Sequence, residues 1–175
     1  LNGYLYLIGG HNGSNYVDTV YFSKLENESG VNLSVPLLKQ TNPSWSEEVY
    51  DSASKWSSNN PGIGRWGCAM TSAAMVFNYH NITKLPDGQE LNPKNLNTWL
   101  KNEPDGYVGN GLINWLALTR LSKKAKSQNS NFLYDALEYK RTNEEDKELF
   151  IESIDNNIPV ILGEPGHFIV GKGYD

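Results

Sequence analysis

Apolar residues near the start of the chain follow the two-residue alternation that is typical of β-strands. Val17 to Leu25 alternates apolar and polar positions, and Tyr4 to Ile8 is rich in residues that favour strands. Gly9-Gly10 and a polar segment beginning at His11 separate these runs, and such residues favour turns. We therefore predict an N-terminal β-hairpin over residues 1–25, with His11 as a solvent-facing turn residue.

The middle of the chain repeats apolar residues every three or four positions, which predicts amphipathic helices. A run of small and apolar residues after Gly67 predicts a helix from Cys68 to about Tyr79. Asn92-Pro93 is typical of a helix start and predicts a second helix. Two more are expected over 112–122 and from Thr142 to about 155. The residues expected to face the core are Met75, Val76, Tyr79, Leu96, Trp99, Leu100, Ile113, Leu116, Leu121, Leu149, Phe150 and Ile154.

Strand-like runs return near the end of the chain. Ile158 to Gly163 predicts a buried strand, and His167 to Tyr174 predicts a second one after a turn at Pro165-Gly166. Helices followed by antiparallel strands predict an α+β fold. Residues 132–141 fit a strand and a helix equally well.

Two segments lack a periodic pattern. Residues 26–34 are polar and predict a linker, so the main domain is expected over residues 35–175. Residues 46–66 are rich in Ser, Asn and Gly, and irregular segments of this length in a compact domain are often functional. The apolar residues expected to anchor them are Tyr50, Trp56, Ile63 and Trp66.

The composition narrows the classes of function. The 175 residues include 38% hydrophobic residues, five Trp and ten Tyr, which is enough for a packed core. The net charge is −5 and no basic stripe stands out in the sequence, so nucleic acid is not expected as a partner. No apolar run reaches the length of a membrane-spanning helix, and no membrane span is predicted. The oligomeric state stays open.

Cys68 is the only cysteine in the chain. At the first turn of a helix, backbone N–H groups and the helix dipole favour a thiolate, which suits a nucleophile. A buried structural cysteine explains the same pattern equally well. His80 falls in the last turn of this helix, where a structural role as a cation that complements the dipole is expected.

His167 follows a glycine turn and begins a predicted strand, which places an imidazole at the edge of a sheet. A thiol nucleophile needs such a partner to accept and later return a proton. One cysteine and a distant histidine are typical of cysteine hydrolases, although a histidine at a strand start is more often structural. If the two residues act together, we expect the Cys68 sulfur within about 4 Å of the His167 ring.

Three segments together resemble the C39-like, papain-fold cysteine peptidases. They are Gly67 to Val76 around the cysteine, Gln40 to Trp45 before it and Gly166 to Val170 after it. Asn97 to Asn102 and Gly106 to Val108 also look like members of that group. The resemblance covers about residues 35–175 and implies a papain-like fold with a helical N-terminal part and a C-terminal antiparallel sheet. It implies a peptidase that acts on peptides or proteins through an acyl-enzyme, with no metal or organic cofactor.

The resemblance also implies roles for individual residues. Cys68 would be the nucleophile, His167 the general base and acid, and Gln40 a side-chain donor to the oxyanion hole. Gln40 lies 28 positions before Cys68, so this role assumes that the 46–66 loop is an insertion. Alternatively, Gln40 caps or bridges a loop. Many relatives carry Gly-Pro after the cysteine, whereas this chain has Ala69-Met70, which is compatible with a helix.

Relatives place a third catalytic residue, an Asp followed by Pro, on the strand after the histidine strand. Asp175 follows His167 by eight positions, which is roughly 26 Å along a strand and too far for a hydrogen bond. We therefore expect the third residue beyond Asp175, in a domain that is truncated at its C-terminus.

Residues 1–25 resemble part of one blade of a kelch repeat: an aromatic and aliphatic strand, a double glycine, a polar turn and a second strand. This implies the end of a larger binding module, and an unrelated hairpin is the alternative. Two other functions stay open: a binding protein with a degenerate papain-like domain, and an amidase or acyltransferase of the same fold. The two resemblances together imply an exported bacterial protein, extracellular or in the cell envelope.

Overall fold

Helices and short strands both occur in the chain. The computed structural model describes residues 4–11, 16–24, 30–127, 132, 134–142 and 146–175. The strands are β1 (Tyr4–His11), β2 (Tyr16–Lys24), β3 (Val31–Asn32), β4 (Tyr107–Val108), β5 (Leu112–Ile113), β6 (Val160–Glu164), β7 (His167–Gly171) and β8 (Gly173–Tyr174). The helices are α1 (Ile63–Trp66), α2 (Cys68–Tyr79), α3 (Pro93–Asn102), α4 (Trp115–Lys126) and α5 (Lys147–Asp155), with a 3₁₀ turn at Ala53–Lys55.

The chain divides into two compact units. The first contains Leu1–Val35 and Thr142–Asp175, and the second contains Pro36–Arg141. In the described residues, the named strands pair antiparallel as β1–β2, β3–β8, β4–β5 and β6–β7. Helices with small antiparallel sheets confirm the mixed α+β class. The domain boundaries inferred from the sequence stay a prediction.

The N-terminal hairpin is present in the backbone of the first unit. β1 and β2 pair antiparallel, with an irregularity in register between Ile8 and Gly10. His11, expected in the turn, is the last residue of β1 and pairs with Tyr16. The expected turn residues 12–15 lie outside the described part of the chain. The hairpin prediction is confirmed, and the kelch resemblance stays a prediction.

The C-terminal strands of the first unit form two sheets rather than one hairpin. β6 and β7 pair around Pro165-Gly166, and Gly166 takes a φ of +79°, a region that favours glycine. The expected strand from His167 to Tyr174 is interrupted at Lys172, because β8 pairs instead with β3. Strand β3 lies within the segment 26–34, where a linker was expected. β6 is half-buried rather than fully buried, and its Gly163 is exposed.

Buried apolar side chains of α2, α3 and α4 form the core of the second unit. The bounds of α2 agree with the prediction, but its inward residues do not: Met75, Val76 and Tyr79 are only half-buried. The buried apolar face is instead formed by Met70, Ala73, Ala74 and Phe77, which follow the helical spacing of three and four. Small residues at this face bring the helix close to its neighbours.

The other predicted helices are present; α3 begins where predicted, and α4 and α5 begin later. Helix α3 begins as expected, with the Asn92 side chain accepting a hydrogen bond from the Asn95 N–H. Helix α4 begins at Trp115, not at 112, because Leu112–Ile113 pair with β4. Helix α5 begins at Lys147 after an Asp146 cap.

The core predictions for these helices are partly correct. Leu116 is 59% exposed, so its prediction as a core residue is wrong. Trp99, Leu149 and Phe150 are half-buried rather than buried. Residues 134–141, part of the ambiguous segment, form neither helix nor strand. The core residues that are confirmed are Leu96, Leu100, Ile113, Leu121 and Ile154.

His80 is structural, but not as the cation that was expected. It follows the last residue of α2 and is buried. Its ring packs edge-on against the rings of Tyr79 and Tyr134, with centroid distances of 5.0 and 5.3 Å. Burial lowers the pKa of His80, so the neutral imidazole is favoured there.

Candidate functional site

Cys68 is the first residue of the 12-residue helix α2 and is half-buried. Gly67 precedes it as the N-cap, and no side chain caps this end of the helix. The N–H groups and dipole of a helix N-terminus favour negative charge within the first turn. Cys68 therefore lies at the end of the helix that favours negative charge, and it is partly exposed to solvent.

The turn before Cys68 is held by the segment around Ser46. Ile63 and Gly64 donate their N–H groups to the carbonyls of Glu48 and Ser46, each at 2.8 Å. A Cβ atom at Gly62 would lie only 2.4 Å from the Ser46 carbonyl oxygen, so a side chain does not fit there. The segment 46–66, which includes the 3₁₀ turn and α1, thus closes on itself through backbone hydrogen bonds, and Cys68 follows it after Gly67.

Gln40 contacts the same turn. Its Nε2 donates to the carbonyls of Ile63 and Gly64, each at 3.1 Å. Gly64 is four residues before Cys68, so the chain between residues 40 and 64 folds back to bring the amide to this turn. This contact is the loop-bridging role that the sequence left as an alternative. The role of Gln40 as an oxyanion donor stays a prediction.

Tyr50 is a buried anchor of this region, as expected. It is 3% exposed, and its hydroxyl donates to the Gly111 carbonyl at 2.7 Å. The Gly111 N–H in turn donates to Asp51 Oδ2 at 3.0 Å. Burial raises the pKa of Tyr50, and the charges of Cys68 and Asp51 raise it further. Tyr50 therefore stays protonated at neutral pH.

The role of Asp51 could not be found from the sequence. Its backbone takes a φ of +45°, which is uncommon for a residue other than glycine. Its carboxylate accepts from the distant Gly111, and its N–H donates to Asn97 Oδ1 at 3.1 Å. Asp51 and Asn97 are 46 positions apart in the chain, and Asp51 and Gly111 are 60 positions apart. No local pattern signals them.

His167 is the first residue of β7, in the first unit, and is half-buried. It pairs with Glu164 across the two-residue turn that Pro165-Gly166 form. Burial lowers the pKa of His167, and the charge of Glu164 raises it in part. The neutral imidazole, the form that accepts a proton, is therefore favoured.

Two of the three predicted site residues, Gln40 and Cys68, lie in one unit, and the third lies in the other. The second unit brings Gln40 to the turn that leads into Cys68, whereas His167 belongs to the first unit. Among the described residues, no group of three or more His, Cys, Asp and Glu side chains could hold a metal ion. In the same residues, no helix has both the length and the apolar character that crossing a membrane requires.

Comparison with known proteins places the chain in a family. The model of the Peptidase_C39 like family matches residues 32–175, which is most of the sequence, and the chain therefore belongs to that family. Searches of curated proteins and of solved structures each found no match.

Proposed function

We propose that this chain is a cysteine peptidase with a papain-like fold, in which Cys68 is the nucleophile and His167 the general base and acid. The Cys68 thiolate forms a bond to the carbon of a peptide carbonyl. The C–N bond then breaks, and the leaving amine takes a proton from the His167 imidazolium. Water, losing a proton to His167, attacks the resulting thioester and releases the acid and the thiolate.

The position of Cys68 carries this proposal. It is the first residue of a long helix, it is half-exposed, and a hydrogen-bonded turn fixes the chain before it. A structural cysteine gains nothing from a helix N-terminus, whereas a nucleophile gains thiolate stabilisation. Membership of the Peptidase_C39 like family over residues 32–175 supports the same chemistry.

The proposal assigns Gln40 to the oxyanion hole beside the Cys68 N–H. Its amide lies at the turn before Cys68, and the carbonyls of Ile63 and Gly64 orient it. The amide nitrogen carries two hydrogens, and both are donated to these carbonyls. The proposal therefore requires that substrate binding redirect one of them to the oxyanion, where one such donor is worth about 100- to 1000-fold in rate.

The lowered pKa of His167 supports its role as a base. Because burial favours the neutral ring, the histidine can accept a proton from Cys68 or from water at neutral pH. The hairpin turn at Gly166 holds the ring at the start of a strand, and a base needs such a defined position.

Peptide hydrolysis by matched variants tests the proposal. Cys68→Ser and His167→Ala are expected to lower kcat by about 10⁴- to 10⁶-fold, because each removes a member of one catalytic unit. His80→Asn is the control, since this buried histidine is expected to affect the free energy of unfolding and not the reaction of folded protein. Hydrolysis is followed by mass spectrometry of a mixed peptide library.

The alternatives give different results in the same experiment. Rapid labelling of Cys68 by iodoacetamide, with products only when an amine is added, would indicate acyl transfer in place of hydrolysis. If the thiol reacts no faster than free cysteine at pH 7 and no peptide is cleaved, the result would favour the hypothesis of a binding protein with a degenerate papain-like domain. Equal activity of the wild type and Cys68→Ser would overturn the proposal outright.

A further inference from the structure

Asn97 and Tyr107 contribute to the family resemblance, but neither has a role in the reaction proposed above. The Tyr107 hydroxyl donates to Asn97 Oδ1 at 2.8 Å. Asn97 is 3% exposed; its Oδ1 also accepts from the Asp51 N–H, and its Nδ2 donates to the Val49 carbonyl at 2.9 Å. A buried amide that is hydrogen-bonded through both its oxygen and its nitrogen favours a single arrangement of the segments that it joins.

The pair reaches the helix that begins with Cys68. The Tyr107 hydroxyl oxygen lies 3.6 Å from the sulfur of Met70, which is fully buried and two residues after Cys68. The ring of Tyr50 packs edge-on against the ring of Tyr107, with centroids 5.3 Å apart. Tyr50 and Asn97, which are buried, and Tyr107, which is half-buried, thus form the Tyr50–Asn97–Tyr107 cluster, which contacts the first turn of α2 through Met70.

The hydroxyls of the cluster keep their hydrogens at neutral pH. Burial raises the pKa of Tyr107, and Tyr50 and Asp51 raise it further. The pKa of Tyr50 is raised in the same way, with the charge of Cys68 contributing. Both tyrosines therefore remain neutral hydrogen-bond donors at neutral pH.

We propose that the Tyr50–Asn97–Tyr107 cluster is a positioning device that holds the first turn of α2 and thereby sets the reactivity of Cys68. Stabilisation of a thiolate by a helix falls off within the first turn, so it depends on how well that turn is ordered. Tyr107 acts on this turn through Met70 and is a positioning residue, not a catalytic one. The inference rests on the proposed role of Cys68 as the nucleophile.

The pH dependence of Cys68 alkylation by iodoacetamide tests this inference on the whole chain. Tyr107→Phe removes one oxygen, and the midpoint of the alkylation profile is expected to rise by about half a pH unit. At neutral pH the alkylation rate falls about 3-fold for a shift of that size. Tyr50→Phe is expected to change the midpoint in the same direction. Far-UV circular dichroism and urea unfolding show whether each variant is folded.

Tyr134→Phe is the matched control. Tyr134 lies in the same unit, but its ring contacts His80 at the opposite end of α2. The control is expected to leave the midpoint unchanged. The inference is overturned if folded Tyr107→Phe keeps the wild-type midpoint, or if Tyr134→Phe shifts it equally. If Tyr107→Phe does not fold, Tyr50→Phe decides by the same criterion.

The two proposals fail in different ways. A wild-type Cys68 with the midpoint of an ordinary thiol and no peptide hydrolysis would contradict the peptidase. The positioning role is judged separately, by the difference between variants and wild type, which alkylation measures whether or not any peptide is cleaved. A reactive wild type with unchanged tyrosine variants would contradict the positioning role alone.

Discussion

The segment that carries Cys68 and the hairpin that carries His167 differ in how the chain fixes them. Around Cys68, hydrogen bonds arrive from residues far away in the sequence, including Gln40 and Ser46, and buried Tyr50 and Met70 pack nearby. His167 is held by its neighbours: Glu164 pairs with it across a two-residue turn, and every residue of β7 is half-buried. One position is built by tertiary contacts and the other by a local hairpin.

This difference decides what a substitution disturbs. A change in the tightly packed turn before Cys68 costs stability, because backbone atoms there have no room to move. At Gly163 in the His167 hairpin, by contrast, an added Cβ would meet only the side chain of Phe168, which can shift. Three predictions test this contrast, in order of decreasing expected effect.

Gln40→Ala tests the Cys68 side. Loss of one oxyanion donor lowers kcat by about 100- to 1000-fold, so we expect a decrease in that range. The two lost contacts to the carbonyls of Ile63 and Gly64 reduce the free energy of unfolding by about 1 kcal/mol each at most. Steady-state hydrolysis and urea unfolding measure the two effects. A change in stability alone would show that Gln40 only bridges the loop.

The same glycine-to-alanine change in both regions tests the contrast directly. At Gly62 the new Cβ would lie 2.4 Å from the Ser46 carbonyl oxygen, a backbone atom, and we expect a loss of about 1–3 kcal/mol. At Gly163 the nearest atom is Phe168 Cε1 at 3.2 Å, in a side chain that can shift, and the change is expected to stay within about 0.5 kcal/mol. Equal losses in urea unfolding would show that the two regions are packed alike.

Glu164→Gln tests the region around His167 and is expected to have the smallest effect on activity. The Glu164 charge raises the pKa of His167 against the larger effect of burial, so removing the charge lowers that pKa further. The base then remains neutral to lower pH, and the acidic limb of the kcat/KM profile is expected to move to lower pH. Maximal activity should change little. A limb that moves to higher pH, or does not move, would contradict the assigned base.

The lowered histidine pKa values also make the stability of the folded chain depend on pH. Burial lowers the pKa of both His80 and His167 below the ordinary value of 6.5, so below pH 6.5 the unfolded chain binds protons that the folded chain does not. Stability contributed by these neutral rings is therefore fully present above pH 6.5 and is lost as the pH falls from 6.5 through the lower pKa values of the folded chain, which urea unfolding at a series of pH values measures.

Local patterns predicted the elements that local interactions form. Asn92-Pro93 determined the start of α3, and the small-residue run after Gly67 determined both ends of α2. Two predictions went wrong because another strand pairing competes. Leu112–Ile113 form a short local hairpin with β4 instead of joining α4, and β8 leaves β7 to pair with the distant strand β3.

By itself, the sequence determined the α+β class, the position of Cys68 at the head of its helix and the family to which the chain belongs. It did so because helix starts and hairpin turns depend on a few adjacent residues. Only the tertiary structure decided that Gln40 meets the turn before Cys68 and that Tyr107 joins Asn97 beside Met70. Such contacts join segments whose spacing carries no periodic signal, so the packing of the folded chain alone specifies them.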